Sequence, residues 1–83
     1  MSDVTYGRLD EVLRALGFSV RLADLDPRAR VYKHAGTGAL VVVPALPENE
    51  KVLPHHLLTA RVTLDGFGIA DPLTFDAQLH KAS

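Results

Sequence analysis

The chain predicts a two-layer α+β domain, in the order α-β-β-β-α with a short C-terminal helix. Three observations carry this. Tyr6, Leu9, Val12, Leu13 and Leu16 recur at spacings of three and four, the mark of a helix with one apolar face. Ala29 to His34 and Ala39 to Val43, both rich in β-branched or aromatic residues, flank the connection Ala35-Gly36-Thr37-Gly38, which is the sequence form of a β-hairpin. A second helical stripe, Leu53, Leu57, Ala60 and Leu64, follows the hairpin and supplies a second cover for it.

Each element has its own signals. Thr5 is a suitable N-cap for the first helix, over roughly residues 5–16, and Gly17 a suitable residue just past its end. Arg8, Asp10, Glu11 and Arg14 fall on its polar side. Gly7, in the first turn, costs about 1 kcal/mol relative to alanine. The first strand is expected from Phe18 to Leu25, with Ser19, Arg21 and Asp24 alternating against apolar residues. Asp26-Pro27 then turns the chain.

The second strand is Ala29 to His34 and the third Ala39 to Val43. Three consecutive strands on short connections form an antiparallel meander. The third strand is apolar throughout, so Val41 and Val43 are assigned to the helix side, while Leu40 and Val42 need other cover. Pro44 and Pro47 end it. Pro54 suits the first position of the second helix, Leu58 and Val62 widen its stripe, and Gly66 is its expected cap. Asp71-Pro72 starts the short last helix, on which Phe75 and Leu79 face one way. Leu13, Leu16, Val41, Val43, Leu57 and Leu64 are the expected core.

Composition narrows the function classes. Eighty-three residues make one small domain, 1–83, whose net stability should be about 4–12 kcal/mol. With 47% hydrophobic and 23% charged residues the composition is that of a folded globular protein. There is no cysteine, which excludes thiolate catalysis and cysteine-ligated zinc. No apolar run approaches the ~18 residues of a membrane span, and no signal-peptide pattern opens the chain, so a cytoplasmic location and no membrane partner are expected. A net charge of −1 argues against a large phosphate-binding surface, and nothing indicates DNA, although a local basic patch remains compatible with that total.

Taken together, Gly17-Phe18, Val31-Tyr32-Lys33-His34 before the hairpin turn, Val41-Val42-Val43-Pro44, Leu53-Pro54, and Gly68-Ile69 followed by Phe75 and Leu79 resemble, in order and over nearly the whole chain, the HicA-type toxins. These are small bacterial proteins with a fold like the double-stranded-RNA-binding domain. The resemblance implies messenger-RNA cleavage and an antitoxin partner. It also implies a catalytic histidine three residues before the aromatic of the second strand. That position is Ala29, and the glycine and serine that usually precede the histidine are here Pro27 and Arg28. An alanine methyl cannot move a proton, so the resemblance points to a catalytically silent member.

The nearest imidazole is His34, a candidate substitute base or a plain turn-flanking residue. His55 and His56 are adjacent, and on a helix their rings diverge by about 100°, a poor grip for one metal ion, so no metal and no cofactor is expected. Arg21, Arg28, Arg30 and Lys33 form the candidate RNA contact. Alternation puts Arg28 and Arg30 on one face of the second strand and Val31 and Lys33 on the other, with Arg21 joining the arginines, while Asp24, Asp26 and Glu11 could neutralise the stripe. Arg61 is expected to pair with Asp65 along its helix. Gly36 and Gly38 precede a strand and make no phosphate cradle.

Three functions follow: a silent HicA-like module binding RNA or an antitoxin-like protein, a ribonuclease using a non-standard base such as His34, and a small self-associating interaction protein. The third strand carries no charge along its length. It is therefore either covered by the segment after Gly66 or meets a second copy in a homodimer.

Overall fold

The computed structural model describes residues 4–22 and 28–80. Three helices and three strands follow in the expected order: α1 (Tyr6–Ala15), β1 (Phe18–Leu22), β2 (Ala29–His34), β3 (Leu40–Pro44), α2 (Pro54–Gly66) and α3 (Pro72–Leu79). The strands form one antiparallel sheet in the order β1-β2-β3, so the predicted meander and α+β class are correct. The expected strand residues Ala23 to Leu25 and the Asp26-Pro27 turn lie outside the described residues.

The local chemistry sets the boundaries. Thr5 caps α1 by accepting the Arg8 N–H at 3.2 Å, and Gly17 leaves the helix at φ +99°, a conformation open to glycine and strained for other residues. Asp71 caps α3 by accepting the Thr74 N–H at 2.7 Å, and this bond holds the Asp71 carboxyl below its usual range. α2 runs through Gly66 and is closed by Phe67, one residue later than expected. Leu53 precedes it with no side-chain cap at all.

Gly7 has a tertiary reason to be glycine. The loop after β3 crosses the start of α1, where the Gly7 N–H donates to the Glu48 carbonyl at 2.9 Å, and a Cβ at Gly7 would lie 3.0 Å from that of Glu48. Tyr6 N–H to Glu50 and Val52 N–H to Val4 complete the tie.

All three helices cover one face of the sheet. α1 packs over β1, α2 over β3, and α3 lies against both helices. Phe18, Tyr32, Val41 and Val43 point into this layer and meet Leu9, Val12, Leu13, Ala60, Leu64, Phe75 and Leu79 in one core. Of the expected core residues, Leu13, Val41, Val43 and Leu64 are buried, while Leu16 and Leu57 are only half-buried at its rim. The apolar arc of α2 is narrower than its sequence suggested, since Leu53, Leu58 and Val62 are exposed.

α3 packs on α1 and α2, and no strand lies beyond β3 among the described residues. Segment 67–80 therefore adds nothing to the sheet edge. On the open face Leu40 and Val42 stand 53% and 50% exposed.

Candidate functional site

The sheet register separates the residues that the sequence grouped. Arg21 lies opposite Val31 and Leu22 opposite Arg30, and directly opposed residues share a face. Arg21 therefore belongs with Val31 and Lys33 on the open face, whereas Arg30 stands with Tyr32 and His34 on the helix face. The expected union of Arg21 with Arg28 and Arg30 on one strand face does not form. Arg28 precedes β2 and its carbonyl accepts the Ala45 N–H at 2.6 Å.

Two of the arginines nevertheless meet at the β1 margin. Arg21 and Arg30 line an open cleft of about 380 Å³ beneath α1, together with Asp10, Arg14, Val20 and Glu48. β1 is the outer strand here, so a side chain as long as arginine can border both faces. Arg21 also lines a shallower groove of about 140 Å³ on the open side, with Ser19, Val31 and Lys33.

Two of the lining residues, Asp10 and Arg14, belong to a hydrogen-bonded chain. Buried Tyr32 donates its hydroxyl to Asp10 Oδ1 at 2.8 Å, and Asp10 Oδ2 takes Arg14 Nε at 2.9 Å. Burial first, and the Asp10 carboxylate second, push the Tyr32 phenol up to about 12, while the Arg30 guanidinium at the same hydroxyl pulls the other way. Tyr32 therefore stays protonated throughout the neutral range. Sequence reasoning left Asp10 and Arg14 as outward charges on α1. The available signal was Tyr32 itself, because an aromatic facing the core with a hydroxyl needs a polar partner there.

His34 occupies a different corner. Its Nδ1 accepts the Thr37 backbone N–H at 3.1 Å and lies 3.0 Å from Thr37 Oγ1, which in turn accepts the Ala39 N–H. The ring packs against Phe18 at a centroid distance of 5.1 Å. A Cβ at Gly17 would fall 3.2 Å from its Nε2, and one at Gly36 3.1 Å from its Cε1. Two glycines thus make room for the imidazole, which acts as a brace for the hairpin turn. Ala29 is half-buried in β2 and offers no polar atom on its side chain.

His56 joins two helices. It is half-buried, and its Nδ1 lies 3.1 Å from the hydroxyl of buried Tyr6, joining the starts of α1 and α2. Burial and the neighbouring His55 lower its pKa. Arg61 pairs across helices with Asp76 Oδ1 at 2.7 Å in place of Asp65, because α3 brings a carboxylate to its inner side. No group of three or more metal-ligating side chains occurs among the described residues, and no helix there is long and apolar enough to cross a membrane.

No protein-family model matches the chain, and no curated protein or solved structure is significantly similar to it.

Proposed function

We propose that the chain is a catalytically silent HicA-like binding module whose arginine cleft takes the phosphodiester backbone of RNA. The observation that carries this reading is the cleft itself, where Arg14, Arg21 and Arg30 surround an open volume that also holds Asp10 and Glu48. Arginine forks suit phosphate oxygens, and among the described lining residues three of them stand against two carboxylates. The silence is supported by the Ala29 methyl and by the state of three nearby proton carriers. Ala29 has none to move, Tyr32 holds its proton, Asp10 is taken by Tyr32 and Arg14, and the Nδ1 of His34 is engaged by the turn. The alternative, a ribonuclease with His34 as base, would require its Nδ1 to give up the Thr37 N–H.

The test is anisotropy of a labelled single-stranded RNA and its duplex, titrated with the protein at several salt concentrations. Contact with roughly two or three phosphates predicts a log–log salt slope of about −1.4 to −2 for the single strand. Arg21→Ala with Arg30→Ala should abolish binding and leave the fold intact, with the RNA uncleaved in every sample. Absence of binding at low salt would remove RNA as the ligand, and cleavage by the purified protein would remove the silence.

A further inference from the structure

β3 is one of the two outer strands of the sheet, with no strand beyond it among the described residues, and the phase of its hydrogen bonds says which groups it offers. Ala45 N–H donates to the Arg28 carbonyl and His34 N–H to that of Ala39. Antiparallel pairs alternate between bonded and non-bonded. With Arg30 opposite Val43, Tyr32 opposite Val41 and Lys33 opposite Leu40, the main-chain groups of Val41 and Val43 turn towards β2. Those of Leu40, Val42 and Pro44 turn away from it. Pro44 has no N–H to offer and its carbonyl accepts the Leu46 N–H at 3.0 Å, so the outward edge consists of the N–H and C=O of Leu40 and of Val42.

The same two residues carry the exposed apolar side chains of this margin. Protein edges are usually guarded by charge, proline within the strand or a bulge, and Leu40 to Val43 has none of these. We infer that this edge pairs with the same edge of a second copy, antiparallel about a two-fold axis, to give a continuous six-stranded sheet.

One register satisfies the edge best. With Val41 on the axis, Leu40 of one copy stands opposite Val42 of the other, and each such pair exchanges two hydrogen bonds. All four outward groups of Leu40 and Val42 are then paired in both copies. The four exposed side chains meet in one apolar strip on the open face.

Charge selects this arrangement over stacking of two open faces. That face carries Arg21 and Lys33 beside the apolar strip. Stacking would set these cations of one copy against those of the other, since no acidic residue occupies a β-strand among the described residues. Edge pairing holds the two β2 strands three strand spacings apart, about 14 Å, beyond the screening length of physiological salt. Strands of five residues bury less than the roughly 1,200–2,000 Å² of a standard interface, so the dimer forms only as concentration rises.

Sedimentation equilibrium of the full chain over micromolar to millimolar concentration should show mass rising from 9.0 kDa towards twice that value. Val42→Pro deletes an N–H that no bond within the sheet uses, so it should keep the native circular dichroism and weaken association roughly tenfold or more. A protein monomeric at every concentration overturns the proposal, and so does a folded Val42→Pro variant that dimerises as well as the native chain.

Should Val42→Pro fail to fold, cysteine pairing decides, because the chain has no cysteine of its own. Residues 40 and 42 on opposite copies would have Cα atoms about 5.5 Å apart, within disulfide range. Like positions would be offset by two residues, about 8 Å apart and out of range. An oxidised mixture of Leu40→Cys and Val42→Cys should therefore yield the mixed disulfide dimer, with little from either variant alone. No mixed dimer, or equal cross-linking of each variant alone, overturns the register and the edge.

Discussion

The half of the molecule built from α1 and β1 and the half built from β3 and α2 share one core but finish their surfaces differently. In the first, the outward positions are polar and occupied. Asp10 binds Tyr32 and Arg14, Arg8 donates to Glu11 and to the Leu79 carbonyl, and Thr5 caps the helix. In the second, Leu40, Val42, Leu58 and Val62 face out, and α2 begins without a side-chain cap. One margin of the sheet is thus a charged cleft in which Asp10 and Arg14 are already paired, and the other an apolar edge with its main-chain groups open. A single small core supports both, because burial constrains only the inward side of each element.

The most forceful way to break this comparison is to cut the core from each half and the surface from one. Leu13→Ala and Leu64→Ala each remove a fully buried side chain and should each cost about 2–5 kcal/mol, a large part of the stability of so small a domain. Val62→Thr, at a position 61% exposed, should change it by about 0.5 kcal/mol or less. Urea midpoints of the three variants decide it. If Val62→Thr costs as much as the leucine truncations, the outward side of α2 is covered after all and the two halves are finished alike.

This contrast also explains what the sequence could tell. Periodicity reads a face well where the opposite face is polar, and α1, its cap and its inward leucines follow directly from that. It fails on α2, where apolar residues occur all round and Leu58 and Val62 look as inward as Ala60. The alternation of β3 was legible, since Val41 and Val43 had to serve the helices. The cleft was not, because strand register decides whether Arg21 and Arg30 share a face, and no local signal fixes the pairing of β1 with β2. The roles of His34 and His56 depend on partners 3 and 50 residues away in sequence, and only the first of these distances is within reach of a local reading.

The capping difference gives a smaller test of the same comparison, with opposite signs in the two halves. Thr5→Ala removes the acceptor for the Arg8 N–H and should cost about 1 kcal/mol. Leu53→Asp places an acceptor, and a negative charge suited to a helix start, where α2 has neither. Leu53 is half exposed, so the apolar burial lost is modest, and a net gain of about 0.5 kcal/mol is expected. Thermal melts of both variants read it. A loss in both would mean that Leu53 holds α2 by packing more than its missing cap costs.

The smallest effect lies at the seam between the halves, where Tyr6 of α1 meets His56 of α2. Burial, the proximity of His55, and the positive end of α2 all oppose a charge on the His56 ring, so its folded pKa lies below the usual 6.5. The unfolded chain then binds the proton more readily than the folded one. The stability from a neutral His56 is complete above pH 6.5, declines as pH falls from there through the folded pKa, and is gone below it. Melting temperatures should therefore drop on acidification from pH 7.5 to 5.5, before most carboxylates protonate. His56→Gln keeps a partner for the Tyr6 hydroxyl and removes the titration, so its profile should be flatter over that interval. An equally steep decline in His56→Gln would assign the sensitivity to other groups and leave the seam as a packing contact alone.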